Sequence, residues 1–137
     1  MNKRIFGTVI LCVLLLLLAG AALFSGNPEI HAAQFVRAHQ GELEEAYQTG
    51  VVPAGIGYQV YNLWDGEHPM MEFILSARGS TYYGCYYSPD GVPLPFQNVD
   101  VDLAPTGQTE WTWKADGDNH GVTTQITDGW YYFEASF

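Results

Sequence analysis

Val122-Thr123-Thr124-Gln125-Ile126-Thr127-Asp128-Gly129-Trp130-Tyr131-Tyr132-Phe133 holds two runs rich in β-branched and aromatic residues, joined by Asp-Gly. Asp-Gly between such runs signals a hairpin, because both residues accept the backbone angles of a tight turn. The reading predicts antiparallel strands from Val122 to Thr127 and from Trp130 to Phe137, with the Phe137 ring buried. One step upstream, Trp111 and Trp113 alternate with Thr112 and Lys114, and Val99, Val101 and Leu103 alternate with Asp100 and Asp102. Period-two alternation puts the two sets on opposite faces of a strand, one of them wet.

Further upstream, Thr81 to Ser88 is closed by Ser88-Pro89-Asp90-Gly91, Met70 to Ala77 enters it through Arg78-Gly79, and Ile56 to Trp64 precedes the turn cluster Asp65-Gly66-Glu67-His68-Pro69. These read as three more β-runs separated by turn chemistry. Val92-Pro93-Leu94-Pro95-Phe96 cannot be a central strand, since its prolines lack two ladder donors; it is expected to be an extended connection over a core edge.

Before the β-region the pattern changes period. Asn27-Pro28-Glu29 is a helix start, with Asn as cap and Pro in the first turn, and Gly50 with Pro53 marks the end. Between them Ile30, Ala33, Val36, Leu43, Ala46 and Tyr47 recur near three- and four-residue spacing, a stripe suited to packing on a sheet. The expected fold is α+β: one amphipathic helix on an antiparallel sheet of about six strands, a single domain over residues 26–137.

Residues 1–25 are of another kind. Lys3 and Arg4 precede an apolar run from Ile5 to Phe24, long enough as a helix to cross about 30 Å of hydrocarbon. Span length favours a retained transmembrane anchor through residues 5–24, with the N-terminus cytoplasmic and the C-terminal domain extracytoplasmic. The alternative is a signal segment cut near Ala19-Gly20-Ala21, which would release a secreted domain.

Beyond Ser25 the chain holds all fifteen carboxylates against Arg37, Arg78 and Lys114, a net charge near −12. Such a surface repels nucleic acid and anionic lipid; it solubilises the domain or attracts cations and basic partners. Cys85 is the one thiol outside the apolar segment, so no internal disulfide framework exists, and the core must rest on aromatic residues. Cys85 itself is expected to be a small buried hydrophobe.

Asp116-x-Asp118-x-His120-Gly121 copies the opening of an EF-hand loop, making Asp116 and Asp118 candidate calcium ligands. The twelfth position, which requires Glu, is Thr127, and hairpin loops collect Asp and Gly for conformational reasons alone. His31, His39, His68 and His120 lack metal-ligand spacing, and no nucleophile elbow, phosphate loop or paired-cysteine motif is present. No cofactor other than calcium is expected.

Adjacent aromatics on a strand point to opposite faces, so Tyr82-Tyr83, Tyr86-Tyr87 and Trp130-Tyr131-Tyr132-Phe133 cannot all serve one buried face. Either both faces are covered, or some rings are exposed beside carboxylates as a binding surface. Tyr82, Tyr86, Trp111, Trp113, Trp130, Asp100 and Asp102 are the candidates for that surface. The leading expectation is a membrane-anchored, extracytoplasmic, non-catalytic domain that binds a protein partner through an acidic, aromatic-bearing surface. A carbohydrate or cell-wall binding module is the second reading, and a hydrolytic enzyme with unmarked carboxylates the third.

Overall fold

The computed structural model describes residues 26–137. The apolar run 5–24, with its anchor and signal readings, lies outside the described residues; among the described ones no helix is long and apolar enough to cross a membrane.

Helix α1 spans Pro28–Thr49. The Asn27 side chain accepts from the backbone N–H groups of Glu29 (3.0 Å) and Ile30 (3.4 Å), satisfying two donors that the first turn leaves free. At the other end Gly50 takes a left-handed conformation and returns its N–H to the Ala46 carbonyl. The face that α1 buries is Ala32, Phe35, Val36, Leu43 and Ala46. That stripe is rotated slightly from the expected one: Phe35 and Ala32 are core, and Ile30 and Ala33 lie at its margin.

Seven strands follow: β1 (Val60–Trp64), β2 (Met70–Arg78), β3 (Thr81–Tyr87), β4 (Ala104–Pro105), β5 (Glu110–Lys114), β6 (His120–Thr127) and β7 (Trp130–Ser136). They form one antiparallel sheet in the order β1-β2-β3-β7-β6-β5-β4. The α+β architecture is as expected, with seven strands rather than six. The first strand opens at Val60, not Ile56, because Gly57 with φ 118° turns the chain just before it. Val99 to Leu103 is not a strand. Gln97 and Asn98 both adopt left-handed angles, and the Val101 N–H closes a three-residue turn onto the Val99 carbonyl, so the alternating segment is bent away from any ladder. The edge strand is instead Ala104–Pro105, paired with Thr112 and Trp111.

The Asp128-Gly129 hairpin forms as read, with Thr127 opposite Trp130 and a one-residue slip between Gln125 and Thr127 that makes a bulge. On one face, α1 meets Met71, Phe73, Leu75, Cys85, Trp130 and Tyr132. On the other, the proline-containing connection lays Leu94 and Phe96 over Met70, Tyr86, Tyr131 and Phe133, with the short 3-10 turn Phe96–Asn98 closing that side. Both faces of the central strands are therefore covered, and the consecutive aromatics of β7 divide between them. Burying a ring of this size contributes roughly 2 to 3 kcal/mol, so a disulfide-free domain of this length is feasible.

Polar groups fix the two coverings. The Trp130 indole N–H donates to Glu44 Oε1 at 2.9 Å, tying α1 to β7. Across the sheet, Tyr131 Oη donates to the Gly91 carbonyl at 2.8 Å, and the Leu94 N–H donates to Tyr86 Oη at 2.8 Å. The Phe137 ring, expected to be buried, is 46% exposed and sits edge-on to Tyr82.

Candidate functional site

Strand register assembles an open concavity on the α1 side of the sheet. Tyr83 of β3 pairs with Glu134 of β7, and Glu134 with Val122 of β6; Tyr132 of β7 pairs with Thr124 of β6, and Thr124 with Glu110 of β5. Cross-strand partners share a face, so these residues all lie on the α1 side of the sheet. Because α1 packs chiefly on β2, β3 and β7, that side stays uncovered over β5 and β6. The result is an open cleft of about 560 Å³ between the start of α1 and the bare strands, lined by Asn27, Glu29, Arg78, Tyr83, Glu110, Thr124, Tyr132 and Glu134.

The cleft is acidic and phenolic. Tyr132 Oη donates to Glu134 Oε2 at 3.4 Å, and burial pushes this phenol well above the usual tyrosine range, with the Glu134 and Glu29 carboxylates adding to the shift. Glu110 Oε1 accepts from Thr106 Oγ1 at 2.9 Å. Among the described residues Arg78 is the one cation in the lining; its guanidinium donates to the Gly26 carbonyl at 2.9 Å and lies 5.8 Å from the Tyr83 ring centroid. Among the described residues the ion pairs are His39 with Glu42 and His68 with Asp90, so Glu29, Glu110 and Glu134 have no ion-pair partner. Chemically, the arrangement presents acceptor-only oxygens beside aromatic rings, which suits a guest carrying N–H cations.

The residues singled out from sequence are dispersed. Tyr86, Trp113 and Trp130 are core, with 0%, 4% and 0% of their surface exposed, and offer no ring to a ligand. Trp111 is half-buried and stands edge-on to Tyr131. Tyr82 is exposed, its ring stacked on Phe96 and next to Phe137. Asp100 is exposed on the rim of a separate hollow that Lys114 and Asp116 also line, while Asp102 is exposed in the same connecting segment. Asp118 lines a different hollow with His120, whose Nδ1 meets the Asp118 carbonyl at 2.6 Å. The described residues include no cluster of three or more metal-ligating side chains.

One buried group, Glu72, escaped the sequence reading. Glu72 on β2 is fully buried on the face opposite α1, where Oε2 accepts from the Gln97 N–H at 2.8 Å and the Asn62 amide approaches Oε1 at 3.5 Å. Burial raises its carboxyl above the ordinary range, against the lowering effect of Gln97, Asn62 and the nearby Trp64 indole, whose N–H makes no hydrogen bond of normal geometry. Glu72 thus holds the left-handed Gln97-Asn98 turn in place. Cys85 is fully buried and its thiol is pushed up by burial and by Glu72, which makes it inert as a nucleophile.

The cleft residues were missed because their proximity depends on four strands meeting in register. The one local signal was alternation in β7, which places Tyr132 and Glu134 on a common face. Comparison of the chain with protein-family models, curated proteins and solved structures gives no match in any of the three.

Proposed function

We propose that this chain is a non-catalytic binding module, held at a membrane by residues 5–24 with its domain on the extracytoplasmic side, that takes a basic segment of a protein partner into the acidic cleft. The observation that carries the reading is the cleft itself: Glu29, Glu110 and Glu134 line one open concavity beside Tyr83 and Tyr132, without an ion-pair partner among the described residues. A lysine or arginine entering it meets carboxylates for charge and phenol rings for the apolar stem. The net charge near −12 steers such a partner toward the surface.

The test is titration of the full chain with a lysine- and arginine-rich peptide at low and at physiological salt. Binding that weakens as salt rises, and that weakens roughly threefold to tenfold for each of Glu110→Gln and Glu134→Gln, supports the reading. Binding that ignores both substitutions, or no binding of basic peptide at low salt, sinks it.

The glycan reading keeps one specific support, the exposed Tyr82 with Phe137 edge-on beside it, an exposed aromatic pair away from the cleft. A sugar ligand there would be lost on Tyr82→Ala and would respond little to salt.

A further inference from the structure

The sheet has two edges, and they are built differently. At the β4 edge the strand has two residues and one of them is Pro105, which has no N–H to offer a further strand. The β1 edge has five residues, Val60-Tyr61-Asn62-Leu63-Trp64, without a charge, a proline or a break in its pairing to β2. Val60, Tyr61 and Leu63 are 48%, 40% and 50% exposed. Sheet proteins ordinarily protect such an edge with a lysine, a proline or a bulge, and β1 has none of these.

We propose that the β1 edge is a homodimer interface, in which a second copy of this chain adds its own β1 antiparallel across a two-fold axis at Asn62. The strand suits self-pairing because its pattern reads alike in both directions, two apolar residues on either side of a central Asn. A two-fold interface demands that self-complementarity, whereas an unrelated partner strand does not. With Asn62 opposite Asn62 of the copy, Tyr61 faces Leu63 and Val60 faces Trp64, each twice. The faces agree as well. Tyr61 and Leu63 lie with Phe73 and Met71 on the α1 side, and Val60 and Trp64 lie with Ile74 and Met70 on the other. Charge gives the second argument. Two copies of the domain, each near −12 beyond Ser25, repel, so they can join only where carboxylates do not oppose. In this register Asp65 falls opposite Gln59 of the copy, and no acidic residue meets another.

The experiment uses the full chain in detergent, with sedimentation to determine mass and oxidative crosslinking to determine register. The parent is expected to be a dimer at micromolar protein, and Leu63→Lys, which sets a lysine against Tyr61 of the copy, is expected to weaken dimerisation by about tenfold or more without lowering the melting temperature. In a Cys12→Ser background, Tyr61→Cys combined with Leu63→Cys is expected to give a disulfide-linked dimer on oxidation, and each single cysteine much less. Cys85 stays out of this chemistry because it is fully buried. A monomeric parent overturns the proposal. So does a dimer that survives Leu63→Lys and fails to crosslink, since it would be held elsewhere.

Discussion

Replacing Tyr86 by Phe removes one oxygen and should loosen the covering of a whole sheet face. The hydrogen-bond directions can be deduced from the partners. Thr123 Oγ1 donates to the Tyr132 carbonyl at 3.0 Å, which uses its only proton. The Tyr86 hydroxyl, 2.7 Å from Thr123 Oγ1, must then donate to it, leaving its lone pairs for the Leu94 N–H at 2.8 Å. This relay is buried, with Tyr86 and Thr123 at 0% and 1% exposure and Leu94 at 6%. Tyr86→Phe orphans a buried backbone N–H and removes the donor to Thr123, for a loss of about 2 to 3 kcal/mol. Thr123→Val keeps the Leu94 bond and should lose about 1 to 2 kcal/mol. Because the two residues share one network, the double variant should fall short of the sum by about 0.5 kcal/mol or more. Urea unfolding followed by tryptophan fluorescence measures all three, and amide hydrogen exchange at Leu94 should quicken in Tyr86→Phe with the rest of the connection. A Tyr86→Phe variant within about 0.5 kcal/mol of the parent, with unchanged exchange at Leu94, would refute the claim that this phenol anchors the connection.

Glu72 sets a pH dependence of determinate sign. Burial raises its carboxyl above the ordinary carboxylate range, so the unfolded chain gives up that proton at lower pH than the folded one. Stability from this group therefore falls as pH rises from the unfolded value through the raised folded value, and is level beyond it. Glu72→Gln, which can still accept from the Gln97 N–H, should lack that decline, so its melting temperature minus the parent's should grow with pH across the window; a constant difference counts against the assignment. Two glycines make an opposed pair. A Cβ at Gly84 would stand 1.9 Å from the Phe73 carbonyl oxygen and 2.9 Å from the Phe133 ring, so Gly84→Ala should lose about 3 kcal/mol or more or fail to fold. At Gly41, exposed in mid-helix with open space around it, Gly41→Ala should gain about 0.5 to 1 kcal/mol, read as a higher melting temperature.

Much of the fold was legible because its signals are local. The Asn27 cap, the Gly50 stop, the Asp128-Gly129 turn and the β-type runs of β2, β3, β5, β6 and β7 each depend on a few neighbouring residues, and each is present. The misses have specific causes. Alternation over Val99 to Leu103 resembled a strand, but the preceding left-handed pair at Gln97 and Asn98 depends on a hydrogen bond from β2, supplied by a residue far away in sequence. Glu72 carries no local signal of burial, being a lone carboxylate within its strand. Only the connection folding over its face of the sheet made it buried.

By itself the sequence determined the element types, the turns between them, the acidity of the domain and the fact that its aromatics exceed one buried face. Those properties follow from composition, periodicity and turn chemistry over short spans. Only tertiary structure decided which rings are core and which carboxylates meet. Strand order and register bring Tyr83, Glu110, Tyr132 and Glu134 onto one uncovered patch, while α1 and the proline-containing connection bury Trp130, Tyr86 and Trp113 from opposite sides. The physical reason is that a strand specifies two faces locally, but what covers each face is set by the long-range path of the chain.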